Sequence, residues 1–213
     1  MKEERRQFFE RIDGDQYRDY ILSHCSKDYE KVKRSLERLM DNRFMFDSPW
    51  DMEPCSKVHQ IQPMVWYQVF EDDPEWAYML NRQEYLLQFM IGYLVEGDKG
   101  YIQKCKFFLF DWIEQVREFS PQSLMTRTLD TGIRSFTWLK LLLLLLKFDL
   151  LEEQELEKIL VSLEKQIDFM KSHYRAKYTL SNWGILQTIP ILAIYHFFSD
   201  KMDLEEAYYF ASK

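Results

Sequence analysis

Residues 178–187 read Tyr-Thr-Leu-Ser-Asn-Trp-Gly-Ile-Leu-Gln, and they open the last long apolar segment of the chain, residues 182–198. A second such segment covers residues 133–148. Both segments are apolar around almost the whole helical wheel, which is typical of helices that other helices cover. They therefore predict an inner helical layer, and the rest of the fold is predicted around it.

The other periodic segments carry apolar residues on one face, as helices packed on a core do. Helices are predicted at residues 3–23 (one or two short ones), 27–40, 81–96, 99–119, 129–148, 152–174, 182–198 and 203–211. Their short connections favour antiparallel hairpins, and the lack of an exact internal repeat argues against a regular solenoid. We therefore predict an all-α fold in which antiparallel helical hairpins form an incomplete (α/α) toroid or barrel.

Single residues predict where several helices begin, end or bend. Ser26 predicts an N-cap for the helix at 27–40. Gly97 predicts the C-terminal end of the helix at 81–96. Pro190 predicts either a kink in the last long helix or a later start for it.

Residues 41–78 interrupt the helical pattern with four prolines and several aromatic residues. We predict a long loop that wraps one end of the helical body, with short strands or turns near residues 64–70, because long loops in compact domains tend to cover a surface. The predicted organisation is one toroid domain over residues 1–213. It comprises N-terminal helices to residue 40, the wrapping loop over 41–78, and helical hairpins over 79–213.

The composition excludes several classes of protein. Hydrophobic residues make up 46% of the chain and aromatic residues 16%, which argues against intrinsic disorder. The net charge of −7 supplies no basic field for nucleic acid. Three widely spaced cysteines suggest neither a disulfide framework nor a metal site. The longest aliphatic run, residues 141–146, is far shorter than the ~20 residues that span a bilayer, and no signal-peptide pattern is present. We expect a cytoplasmic chain without nucleic-acid or membrane partners.

Three sets of motifs carry a family resemblance. The first comprises Glu75-Trp-Ala-Tyr-Met-Leu-Asn-Arg82, Tyr93-Leu-Val-Glu-Gly-Asp-Lys-Gly-Tyr101 and Phe110-Asp-Trp-Ile113. The second is Thr131-Gly-Ile-Arg-Ser-Phe-Thr-Trp138, and the third is Ser181-Asn-Trp-Gly-Ile-Leu-Gln187. In this order and spacing, over residues 44–209, the chain resembles the N-terminal domain of heparinase II/III-type polysaccharide lyases. The resemblance implies an (α/α) toroid and, in full-length members, a C-terminal β-sandwich that packs on it. No such strand-rich region stands in this sequence.

The resemblance also implies a chemistry. Members of the family cleave uronate-containing polysaccharides, glycosaminoglycans among them, by β-elimination, and they need no metal or organic cofactor. The C5 proton of a uronate is weakly acidic, so the enzyme first neutralises the adjacent carboxylate with hydrogen-bond donors. A base such as Tyr or His then removes the proton, and an acid assists the leaving group.

Asn182 falls where the family places its neutralising asparagine, so it is the predicted catalytic residue. Asn also favours helix N-caps, so Asn182 could instead cap the last long helix. Trp183 and Gln187 stand where many members carry His and Glu, and neither side chain titrates. Both are predicted to bind substrate, Trp183 by stacking on a sugar or else as a buried indole.

Arg134 and Trp138 are predicted to point together into a cavity, because they are four residues apart on one helix. Arg134 would bind a uronate or sulfate there, or else pair with a structural acid such as Asp130 or Glu84. Asn81, Arg82 and Trp76 are predicted to line the same cleft, or else to fix the long loop. Trp50, Trp66 and Tyr67 are candidates for sugar stacking, or else anchors of the core or the loop. His173 is predicted to be structural.

We therefore predict the toroid domain of a polysaccharide lyase-like protein that binds an acidic polysaccharide for β-elimination. The family's catalytic tyrosine has no evident counterpart before Lys213, so the chain alone is expected to be catalytically incomplete. One alternative is a non-catalytic glycan-binding or interaction domain on the same scaffold. Another is a glycoside hydrolase on an unrelated α/α barrel. That enzyme would need two carboxylates in one cleft, and Asp73, Glu75 and Asp130 are the candidates.

Overall fold

A computed structural model of the chain describes residues 2–47, 54–70 and 72–213. Ten α-helices cover most of these residues, which confirms the all-α prediction. The helices are α1 Glu3–Arg11, α2 Gly14–His24, α3 Ser26–Met40, α4 Pro74–Arg82, α5 Leu86–Glu96, α6 Lys99–Gln115, α7 Thr128–Lys147, α8 Glu153–His173, α9 Asn182–Phe198 and α10 Glu205–Ala211. A 3-10 helix, Ala176–Leu180, precedes α9, and two strands, β1 Arg43–Phe46 and β2 Cys55–Gln60, follow α3. The toroid and its extent over one domain stay predictions.

The chain forms two compact units. Unit 1 consists of residues 1–12 and 118–213, and unit 2 consists of residues 13–117. Unit 2 therefore contains α2 to α6 with both strands, whereas unit 1 contains α1 together with α7 to α10. No helix of the described residues is long and apolar enough to cross a membrane.

Unit 2 is built on aromatic packing around Phe44, which is fully buried in β1. The Phe44 ring lies 5.4 Å from that of Tyr85 and 5.5 Å from that of Phe108. Antiparallel pairing of β1 with β2 places Phe44 opposite His59. The α5–α6 hairpin turns at Gly97, whose φ of 73° suits glycine and confirms the predicted helix end.

The predicted long loop at residues 41–78 was wrong in two respects. It contains β1 and β2, which were not predicted there, although the turn expected near residues 64–70 is present at Trp66 and Tyr67, close to an isolated bridge between Phe70 and Asp73. Helix α4 also begins earlier than expected, at Pro74, because the Asp73 side chain accepts a hydrogen bond from the backbone N–H of Glu75. Trp50 lies outside the described residues.

The helix predicted at 81–96 is in fact two helices. Helix α4 ends at Arg82 and α5 begins at Leu86, because Gln83 takes a left-handed backbone conformation with φ of 56°. A period-based prediction misses such a break, since apolar spacing continues across it. Ser26 is the first residue of α3 and Cys25 occupies the cap position, so the predicted Ser26 N-cap was also wrong.

Unit 1 is organised around α7, most of which is buried as predicted. Its contact with α9 depends on Gly132, where a Cβ atom would lie 2.1 Å from the backbone oxygen of Leu186. Helix α9 differs from the prediction of an apolar helix covered on all sides. Ile191 and Ile194 are buried, but Ile185 is 57% exposed. Pro190 lies inside α9 without delaying its start at Asn182.

Helix α1 binds the C-terminal end of α9. Lys2 Nζ donates hydrogen bonds to the backbone oxygens of Tyr195 and His196, at 3.1 Å and 2.5 Å. The buried guanidinium of Arg5 donates to both carboxylate oxygens of Asp200, at 2.7 Å and 2.6 Å. Cations are favourable at a helix C-terminus, where the last carbonyls have no helical partners.

Candidate functional site

The N-terminus of α9 presents Asn182 to solvent. Ser181, with extended backbone, occupies the N-cap position, but its hydroxyl donates to the backbone oxygen of Tyr178 at 3.0 Å instead of capping the helix. Asn182 is the first residue of α9, and it is exposed. Within the described residues, its side-chain amide has no hydrogen-bond partner. The alternative that Asn182 caps the helix is therefore wrong, and its amide can donate to a ligand.

Trp183 is held beside Asn182 by a stack of side chains. Its indole lies 5.3 Å from the ring of Tyr178 at an interplanar angle of 30°. The guanidinium of Arg127 lies 5.5 Å from the indole centroid. Asp130 in turn holds Arg127, through hydrogen bonds of 2.5 Å from Nε and 3.2 Å from Nη2. The half-buried indole is thus fixed next to a cation.

Gly184 allows this stack to form. A Cβ atom at this position would lie 2.5 Å from the backbone oxygen of Tyr178 and 2.7 Å from the hydroxyl of Tyr174. Only glycine lets the 3-10 helix approach α9 so closely. The glycine of the Ser-Asn-Trp-Gly motif therefore positions Tyr178 against Trp183.

Gln187 lies on the buried side of α9, one turn after Trp183. Its amide nitrogen donates to the backbone oxygen of Trp183 at 2.9 Å. Its side-chain oxygen is buried and has no hydrogen-bond partner in the described residues. Gln187 is fully buried, unlike Asn182, so its predicted contact with substrate stays a prediction.

Arg134 and Trp138 lie in the interior of unit 1. Arg134 donates from Nε to Gln166 at 3.0 Å and from Nη1 to the backbone oxygen of Met125 at 2.9 Å. It also donates from Nη2 to Thr131 at 3.1 Å. Burial lowers the pKa of Arg134 to about 9, against the opposing effect of Asp130. Arg134 is fully buried and Trp138 is 1% exposed, so the structure gives both packing roles. Their substrate contacts stay predictions.

Asn81, Arg82 and Trp76 belong to the core of unit 2. The Asn81 amide donates to the backbone oxygen of Trp66 and accepts from the indole of Trp112, both at 2.8 Å. Arg82 makes a 2.6 Å ion pair with Glu75. Trp76 is 1% exposed and packs against aromatic rings. These contacts fix α4 and the preceding segment, and substrate binding by the three residues stays a prediction.

Most of the remaining candidate residues make contacts that stabilise the fold. Trp66 is buried and donates to Asp111 at 2.8 Å, whereas Tyr67 is 63% exposed. His173 ends α8, with Nδ1 3.1 Å from the backbone oxygen of Phe169, as expected for a structural histidine. Each carboxylate considered for glycoside hydrolysis has a structural contact: Asp73 caps α4, Glu75 pairs with Arg82, and Asp130 pairs with Arg127. Among the described residues, no group of three or more His, Cys, Asp or Glu side chains is placed to hold a metal ion.

Two residues of this site were not predicted from the sequence: Arg127 and Tyr178. Tyr178 stands four residues before Asn182, within the motif-bearing stretch, but only the close approach at Gly184 places its ring on Trp183. Arg127 comes from just before α7 and reaches Trp183 through the packing of α7 on α9. Spacing along one segment carries no signal for such contacts.

Comparison with known proteins gives one match. The family model described as "Heparinase II/III N-terminus" matches residues 16–202, which is most of the chain. No curated protein and no solved structure matches it. The match includes the Thr-Gly-Ile-Arg and Ser-Asn-Trp-Gly motifs, whose glycines set the approach of α7 and of the 3-10 helix to α9. This chain belongs to the heparinase II/III N-terminal family.

Proposed function

We propose that the start of α9 binds an acidic, uronate-containing polysaccharide, with Asn182 neutralising a substrate carboxylate for β-elimination. The observation that carries this proposal is the exposed Asn182 amide, which has no hydrogen-bond partner among the described residues and lies at a helix start without a side-chain cap. The first N–H groups of a helix and its macrodipole both favour an anion. An amide donor in the same place adds a directed hydrogen bond.

The indole of Trp183 favours a sugar as the ligand over a small inorganic anion. An indole offers apolar area to a sugar ring and a polar N–H at its edge. Arg127, 5.5 Å from the indole and paired with Asp130, holds in place the ring of Trp183, which is the neighbour of Asn182 in the sequence. Family membership in a polysaccharide lyase-related group agrees with this combination of an amide, an aromatic ring and a cation.

The proposed role is carboxylate neutralisation and binding, not proton transfer. Asn182, Trp183 and Gln187 have no titratable group that could act as the base or the acid. We propose that other groups of the complete enzyme supply both, with the predicted β-sandwich domain as one source. The lack of a titrating side chain at Trp183 and Gln187, where many members carry His and Glu, also favours the second candidate function, which is glycan binding without cleavage.

One experiment tests both candidates. The protein, in its full-length form, is mixed with a panel of uronate polysaccharides while binding and the absorbance of the unsaturated product are recorded. Asn182→Ala is expected to weaken binding about tenfold, since hydrogen bonds to charged groups contribute roughly 1.5–3 kcal/mol and this one is exposed. Asn182→Asp should bind even more weakly, because it places a negative charge opposite the uronate.

The control is Gln154→Ala, which changes an exposed amide on α8 of the same unit. Unchanged binding by Asn182→Ala would refute the proposed site. Binding that depends on Asn182, but with no product from any uronate polymer, would establish the non-cleaving alternative.

A further inference from the structure

The stretch that leads into α9 has an unusual charge for this chain. The protein has a net charge of −7, yet no acidic residue stands between Asp168 and Asp200. Lysines and arginines do occur there, and two of them, Arg175 and Lys177, flank the start of the 3-10 helix that ends just before Asn182. The segment that leads into the proposed site therefore carries only positive formal charge.

Arg175 and Lys177 are both exposed. Among the described residues, neither makes an ion pair with a carboxylate. Lys171, at the end of α8, differs from them, because it lies 3.1 Å from Glu206 and 3.7 Å from Asp168. The charges of Arg175 and Lys177 are thus left for solvent or a ligand, whereas that of Lys171 is used within the protein.

Aromatic packing ties Lys177 to the proposed site. Its Nζ atom lies 5.7 Å from the centroid of Tyr178, and Tyr178 stacks on Trp183 at 5.3 Å. Gly184 keeps Tyr178 against α9, as described above. Lys177, Tyr178 and Trp183 therefore follow one another in contact, and Trp183 is the neighbour of Asn182 in the first turn of α9.

We propose that Arg175 and Lys177 form a second anion subsite, so that an acidic glycan lies along the 3-10 helix from Asn182 and is recognised through carboxylates on at least two of its sugars. This inference rests on the proposed function and adds a direction and a ligand length to it. Asn182 contacts one uronate, and the two cations contact a neighbouring one. Arg175 and Lys177 thereby give the site a higher affinity for a polyanionic chain than for a single acidic sugar.

The test compares ligands of two lengths on the full chain. The probes are a disaccharide and a hexasaccharide from an unsulfated polymer with uronate at every second sugar. The Arg175→Gln, Lys177→Gln double variant should bind the hexasaccharide about threefold to tenfold more weakly than the parent, the range expected for two exposed ion pairs. It should bind the disaccharide as the parent does, because a single uronate occupies the Asn182 subsite. The matched control is Lys165→Gln, an exposed lysine on α8.

A third probe is a carboxyl-reduced hexasaccharide, whose uronates have been converted to neutral sugars. The parent and the double variant should bind this neutral ligand equally, since the lost interaction is with carboxylates. In one outcome, the double variant binds the acidic hexasaccharide as the parent does, while Asn182→Ala still weakens that binding. This result would overturn the second subsite and leave the proposed function standing. If the double variant binds the disaccharide and the hexasaccharide more weakly by the same factor, the second subsite is also overturned. If the parent binds no uronate ligand, both proposals fail.

Discussion

Asn182 and Arg134 carry similar sequence signals, yet the fold gives them opposite environments. Both are polar residues in apolar helices, and both lie within the residues that the family model matches. Asn182 begins α9 and is exposed, whereas Arg134 lies in the second turn of α7 and is fully buried. A position within the first turn of a helix can reach solvent even when the helix body is covered. A position further along the same kind of helix depends on what packs against it.

Arg134→Ala is expected to destabilise the protein. The variant removes the guanidinium that donates hydrogen bonds to Gln166, to the backbone oxygen of Met125 and to Thr131, and it leaves a cavity. Lost buried hydrogen bonds and the cavity together should lower the free energy of unfolding by about 2–4 kcal/mol. Chemical denaturation monitored by circular dichroism measures this.

Arg175→Ala serves as the control for this prediction, since an exposed arginine should change stability by less than about 0.5 kcal/mol. If Arg134→Ala keeps the stability of the parent but weakens glycan binding, Arg134 has the binding role that the sequence predicted instead of the packing role.

At the scale of elements, two glycines allow a close approach of α7 and the 3-10 helix to α9. Gly132 in α7 meets the backbone of α9 at Leu186, and Gly184 in α9 meets the 3-10 helix at Tyr178. The two motif glycines therefore connect three successive elements of unit 1. Through them, the packing of α7 determines where Trp183 and Asn182 are presented.

Gly132→Ala should be costly, because the added Cβ would lie 2.1 Å from the Leu186 carbonyl oxygen, and a backbone atom cannot rotate away. Overpacking of this kind costs about 1–3 kcal/mol, so the midpoint of thermal unfolding should fall by several degrees. Gly100→Ala in α6 is the matched control. Its nearest neighbour is a side-chain oxygen of Asp98 at 3.0 Å, which caps α6 and needs to shift far less than the Leu186 backbone would. Equal melting temperatures for the two variants would contradict the close approach of α7 and α9.

At the scale of the whole molecule, unit 1 is assembled from both ends of the sequence. Arg5 of α1 pairs with Asp200, which follows α9, and donates to the backbone oxygen of Phe197 at 2.6 Å. The guanidinium of Arg5 lowers the pKa of Asp200, although partial burial opposes the shift. Since the folded chain holds the Asp200 proton less readily than the unfolded chain, the pair contributes stability above the unfolded pKa of about 3.9, and this is lost as the pH falls through the folded pKa.

Asp200→Asn should therefore destabilise the protein near pH 7, by about 1 kcal/mol because Asp200 is partly exposed. The difference in unfolding free energy between parent and variant should shrink as the pH falls below 4. Urea denaturation of both proteins over a pH series measures it. A difference that does not change with pH would mean that the Asp200 charge is not what stabilises the contact.

Much of the secondary structure could be predicted from the sequence, because periodic apolar spacing is a local property. The helices at residues 3–24, 99–115, 128–147 and 153–173 begin and end within a few residues of the predicted limits. The break at Gln83 and the strands β1 and β2 were missed. A left-handed residue leaves the apolar period intact, and pairing of Arg43–Phe46 with Cys55–Gln60 depends on a contact between separated segments.

The sequence by itself determined the helical class, the resemblance to the family and the position of Asn182 at a helix start, since each depends on residue order along the chain. Only the tertiary structure decided which polar residues are exposed. It buries Arg134, Trp138 and Gln187, exposes Asn182, and brings Arg127 and Tyr178 to Trp183. The physical reason is that burial and side-chain stacking are fixed by the packing of α7, α9 and the 3-10 helix on one another. That packing depends on the space left by two glycines.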